Sequence, residues 1–198
     1  MRRNSTRRLV LAVATACLVA LSAPAVSGAA ECANRDVAPQ AGNLGDVRSA
    51  VLCLVNAERT ARGLQPLRGQ VQLARSADGH AQDMVTHHFF AHDSKDGRTM
   101  TDRINAVGYL PKHNAWALGE NLAWGTGALA TPAAIVDAWM HSAGHRTIML
   151  SPKYRDAGIG VVIGVPDESL AGGATVAMDV GRRGTLAKTA RASKLHHR

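Results

Sequence analysis

The residues of this chain best suited to chemistry are its histidines and one acid beside a glycine. Nine histidines occur, and seven fall between positions 80 and 145. Two groups stand out, His87-His88-Phe89-Phe90-Ala91-His92 and His141-Ser142-Ala143-Gly144-His145, with Gly119-Glu120-Asn121 between them. Imidazole titrates near neutral pH and ligates metals, so histidines beside a carboxylate suit acid–base work or a Zn²⁺ site. A glycine next to the acid lets a ligand or another chain segment approach the backbone closely. His141 and His145 have the i, i+4 spacing of zinc-binding helices. The glutamate of the zinc-protease motif is missing, however, and Gly144 is expected to end the helix between them, so a solvated His141 is the simpler reading. His87 and His88 are adjacent and face different directions, so at most one points inward. The chain contains no nucleophile elbow, phosphate loop or dinucleotide fingerprint.

The elements that must position these residues are legible from periodicity. Val47, Ala50, Val51, Leu54 and Ala57 make one apolar stripe behind Asp46, which reads as the helix cap, and Gly63 stops the helix. A second helix is expected from Gln70 to His87, with Leu73, Ala77, Ala81 and Met84 on its buried face. A short helix follows Thr101 and ends at Gly108. Leu118 to Trp124 reads as a strand. Thr131-Pro132 starts a helix that carries Ile135, Val136, Trp139 and Met140. Ile159–Val165 and Thr175–Val180 are rich in β-branched residues and are joined by a turn segment, which predicts an antiparallel pair. Helices come first and the strand pair last, an order that favours an α+β layered sheet over alternating βαβ units.

Composition narrows the function classes. The chain has 198 residues, 46% of them hydrophobic, enough for one domain plus tails. Aromatics make up only 4%, too few for a platform that stacks bases. Residues 1–30 read as a signal peptide: Arg2, Arg3, Arg7 and Arg8, an apolar stretch from Leu9 to Leu21, then small residues up to Ala29 and Ala30. The apolar run is short for a bilayer span, so no transmembrane anchor is expected in the mature form. Without that leader, 19 basic residues face 15 acidic ones. Residues 182–198 hold six Lys or Arg and no acid, so they carry the excess and are expected to form a basic, disordered tail. The remainder is close to neutral, which excludes a nucleic-acid role for an exported chain. Cys17 goes with the leader, and the two cysteines left, Cys32 and Cys53, suggest a disulfide in an exported protein. Residues 31–45 read as a lead-in segment and 46–181 as the domain.

Several blocks in order carry a family resemblance. Val55-Asn56-Ala57-Glu58-Arg59 and Leu64-Gln65-Pro66-Leu67 resemble the opening of bacterial CAP domains (cysteine-rich secretory proteins, antigen 5 and pathogenesis-related proteins, also called SCP-like). Phe90-Ala91-His92-Asp93, Gly119-Glu120-Asn121-Leu122-Ala123-Trp124-Gly125, the run Ala138 to Arg146 and Gly158-Ile159-Gly160-Val161 resemble the blocks that follow. The resemblance implies a three-layer α-β-α sandwich with a central, mainly antiparallel sheet. It also implies a shallow cleft where His92, His145 and Glu120 gather with Asn121 nearby, and where Ser142 stands in place of a second acid. Three functions follow as expectations. One is an extracellular binding module for a lipid, peptide or cell-wall polymer. Another is a metal-assisted hydrolase in which His92 and His145, with Glu120, hold Zn²⁺, or Glu120 acts as catalytic base. The third is an envelope-associated interaction protein.

Overall fold

The computed structural model describes residues 32–184. The expected signal peptide and most of the basic tail lie outside the described residues. Helix α1 spans Leu44–Thr60, strand β1 Arg68–Gly69, α2 Val71–Thr86, α3 Met100–Ala106, β2 Trp116–Gly125, α4 Pro132–His141, α5 Ala143–Met149, β3 Asp156–Ile163 and β4 Ala174–Arg183. A 3-10 turn, Gly127–Ala130, leads from β2 into α4. The four strands form one sheet in the order β1-β3-β4-β2, antiparallel except for the short β1–β3 pair.

Strand alternation divides the core into two layers. Ala157, Ile159, Val161, Val176, Met178 and Val180 face α1 and α4, where Val47, Val51, Leu54, Ile135 and Trp139 complete the larger cluster. The other face meets α2 and α3 through Ala77, Ala81, Met84, Leu122 and Ala177, and through Leu73, Ile104 and Tyr109. The result is the expected α-β-α sandwich. On β3, Gly158 and Gly160 let α2 lie almost on the sheet: a Cβ at Gly158 would sit 2.0 Å from Ala74 N, and one at Gly160 would sit 2.3 Å from Ala77 C.

Four boundaries differ from expectation. α1 begins at Leu44, so Asp46 lies in its first turn, where its charge suits the helix dipole, rather than at the cap. α3 is capped by Thr99, whose hydroxyl and Asp102 form a reciprocal capping box. Gly144 does not end the histidine-bearing helix. The break is at Ser142, whose extended backbone (φ −95°, ψ 121°) separates α4 from α5, and Gly144 lies inside α5. Strand β4 continues through Arg183, so two basic residues assigned to the tail are paired with β2. Cys32 and Cys53 form a disulfide that ties the lead-in segment to α1.

Candidate functional site

Glu120 is in the middle of β2, on the sheet face that α2 and α3 cover. Its side chain is 2% exposed. Arg103 of α3 donates to its Oε2 at 2.7 Å, and the His92 Nδ1–H donates to its Oε1 at 2.8 Å. Arg103 is itself buried, whereas His92 is 60% exposed on its side chain. The segment that carries His92 is held from below: His80 of α2 is fully buried and its Nε2–H donates to the Ala91 carbonyl at 2.9 Å.

These contacts set the ionisation of each group. Burial alone would raise Glu120, but the His92 hydrogen bond and the Arg103 charge more than offset it and hold the carboxyl below its ordinary value. The Glu120 hydrogen bond raises His92 above the usual imidazole range, with burial opposing. Burial lowers His80 below its ordinary value, with the Glu120 charge opposing. Burial, then the nearby His92, lowers His145.

The other expected site residues are placed as follows. His145 is in the first turn of α5, and its carbonyl accepts from Asn121 Nδ2 at 3.0 Å. Asn121 faces the α4–α5 side of β2 and is fully buried. Ser142 is the joint between the two helices; its N–H bonds Trp139 O and its carbonyl accepts the Arg146 N–H. It enters neither the Glu120 nor the His92 hydrogen bonds. His141 is exposed and bonds back to Asp137 O, as expected for a solvated residue. A cleft of about 360 Å³ opens beside the network, lined by His92, Asp93, Thr99, Met100, Thr101, Gly119, Glu120 and Ile148.

A three-ligand Zn²⁺ set does not fit this arrangement. Both Glu120 oxygens are engaged, one by a buried guanidinium that would repel a dication. Among the described residues no group of three His, Cys, Asp or Glu is placed to hold a metal. What the geometry offers instead is a carboxylate that orients one imidazole, with the His92 Nε2 side turned to solvent.

Arg103, His80 and Asp179 escaped the reading by motif. Asp179 is fully buried on β4, directly opposite Glu120 in the β2–β4 register. A signal for it exists in the sequence: an acid inside the apolar run Ala174–Val180. His80 lies seven residues after Leu73, on the buried stripe of α2.

Edge strand β2 is capped by side chains. The Gly184 N–H to Ala115 O bond fixes the ladder, so odd-numbered residues of β2 bond β4 and even-numbered ones turn outward. Tyr154 Oη–H donates to the outward Leu118 carbonyl at 2.8 Å, and Trp139 Nε1–H to that of Leu122 at 3.1 Å.

Comparison with known proteins agrees with this architecture. The chain is 38% identical over 112 residues to the uncharacterized protein YkwD of Bacillus subtilis, a match covering 57% of this chain and 41% of that protein. It is 35% identical over 111 residues to the uncharacterized membrane protein YlbC of the same organism, covering 56% of this chain and 30% of YlbC. The chain thus spans less than half the length of either relative. An extracellular SCP-domain protein of Bacillus anthracis superimposes with a TM-score of 0.56 at 24% identity, covering 73% of this chain and 44% of that one. An outer surface protein of Borrelia burgdorferi gives the same TM-score of 0.56 at 17% identity, covering 67% of this chain and 90% of that one. At these identities the two structures speak for the fold. The model of the cysteine-rich secretory protein family, CAP, matches residues 52–169, a stretch that runs from α1 past β3 and holds His92, Glu120 and His145, and the chain belongs to that family.

Proposed function

We propose that the protein is an exported binding module whose cleft takes an extended peptide, free or as the peptide part of a cell-wall polymer. The observation that carries this reading is the commitment of Glu120: both oxygens are hydrogen-bonded and the side chain is buried, so it serves the cleft as an anchor for His92 and Arg103 rather than as a free base. The peptide chemistry is supported by the edge of β2. Side chains satisfy the Leu118 and Leu122 carbonyls, and between them the outward peptide groups of Glu120 border the cleft. An extended peptide pairs with such groups, while Thr99, Thr101, Met100 and Ile148 supply mixed polar and apolar walls. The disulfide supports an oxidising, extracytoplasmic location. Among the described residues no helix is long and apolar enough to cross a membrane.

Calorimetric titration of soluble peptide-bearing wall fragments into the wild type and into Ile148→Arg tests this. Binding by the wild type and at least a tenfold loss in the folded variant are expected. Equal binding by both, or binding to phospholipid vesicles with none to peptide fragments, refutes it.

One observation favours hydrolysis as the second reading. A histidine oriented through Nδ1 by a carboxylate, with Nε2 toward solvent, is the arrangement of a general base that activates water. Release of cleaved product that disappears in His92→Ala would establish it.

A further inference from the structure

Glu120 and Asp179 are direct partners across the β2–β4 ladder. Since odd-numbered residues of β2 carry the bonds to β4, this is a non-hydrogen-bonded pair, the kind in which side chains stand closest. Both side chains project to the same face, beneath α2. On its other flank Asp179 is opposite Gly158, which has no side chain because the backbone of Leu73 and Ala74 lies there. Asp179 is therefore enclosed on every side and is 0% exposed.

The groups facing it are few. From β2 comes Glu120, already ionised against Arg103 and His92; from β3, only Gly158. From α2 comes the Ser76 hydroxyl, with His80 one turn further along the helix beside Glu120. From α3 comes Arg103, whose Nη2 is spent on Glu120, while His92 of the 91–93 segment reaches Glu120. No cation is dedicated to Asp179, and neither of its oxygens receives a well-aligned donor from the described residues. Two carboxylates directly opposite each other in a buried ladder repel, and the repulsion is removed when one keeps its proton. Burial, then the Glu120 charge, pushes the Asp179 carboxyl well above its ordinary value, with the Ser76 hydroxyl opposing.

We propose that Asp179 is the second carboxyl of this site, held protonated beneath the sheet, and that its O–H donates to Glu120 and positions that carboxylate for Arg103 and His92. The acid expected near Ser142 is thus replaced by one that arrives from β4. Asp179 is a positioning residue, and the inference holds whether the cleft binds a peptide or cleaves one.

Carbon-13 NMR of aspartate carboxyls in the full protein tests it, with Asp179→Asn as the assignment control. The Asp179 resonance should retain the protonated shift at about pH 7, while exposed aspartates show the ionised one. The asparagine, a neutral group that can also donate to Glu120, should leave the His92 titration midpoint unchanged. A carboxylate shift for Asp179 at about pH 7 overturns the proposal. So does a fall of about one pH unit in the His92 midpoint, a tenfold change in proton affinity, because it would mean that an anion had been removed. Should Asp179→Asn fail to fold, the wild-type resonance decides alone: it is the aspartate signal that stays protonated at about pH 7, and finding none overturns the proposal.

Discussion

Glu120→Gln tests how the site is held together. The substitution keeps the shape of the side chain and removes its charge. Arg103, with 6% of its side chain exposed, then faces an amide where it had a carboxylate. Breaking a buried ion pair by removing one partner costs about 3–5 kcal/mol, because the charge left behind has been taken from water without compensation. The His92 arm adds less than about 1 kcal/mol, since that ring is 60% exposed and screened by solvent. A loss of about 4 kcal/mol is a large share of the roughly 5–15 kcal/mol that a domain has. Urea unfolding followed by the fluorescence of buried Trp139 measures it, and imidazole NMR follows His92 in the same sample. The His92 midpoint should fall back toward the ordinary imidazole value. Replacing both partners, as in Glu120→Leu with Arg103→Met, should cost less than Glu120→Gln alone, because no charge is stranded. A loss below about 1 kcal/mol together with an unmoved His92 midpoint would refute the reasoning, for Glu120 would then neither neutralise Arg103 nor orient the imidazole.

Other expectations concern the frame around the site. Replacing Cys32 and Cys53 with serine opens a loop whose ends are 21 residues apart, and should lower stability by roughly 3 kcal/mol in urea titrations. Gly160→Ala would push a Cβ to 2.3 Å from the backbone of α2 at Ala77 and Asp78; about 3 kcal/mol should be lost, and the His92 NMR signal should move because α2 carries His80 beneath it. Stability should also depend on pH through His92. Its pKa is raised in the folded state, so its contribution is complete below the unfolded value near 6.5 and disappears as pH rises through the folded value. His92→Gln should flatten that part of the stability–pH curve, and an unchanged curve would show that another group titrates there.

Much of the frame was readable from residue types. Apolar periodicity located α1, α2 and α4, Thr131-Pro132 marked the start of α4, and β-branched runs located β3 and β4. The boundaries that moved were those where short-range alternatives compete. Asp46 is as good in a first turn as at a cap, and Thr99 outcompeted Thr101 because Asp102 stands three residues beyond it. Gly144 was read as a stop, but glycine only permits a break; the break itself came at Ser142, where the chain turns from α4 into α5. Strand β1 consists of two residues, too few to leave a pattern.

The sequence by itself determined which residues could take part in the site: His92, Glu120 and His145 lie in motifs whose order identifies the fold, and a carboxylate beside glycine and asparagine marks its centre. The pair Cys32 and Cys53 also suggested the disulfide that the structure shows. Only the tertiary structure decided what Glu120 does. Arg103 reaches it from a helix 17 residues earlier, and His92 from a loop 28 residues earlier. Asp179 reaches it by strand register from 59 positions later. A buried charge takes its role from the groups packed around it, and here those come from β4, α2, α3 and one loop. No local pattern encodes their meeting, because register and layer packing set it across the whole domain.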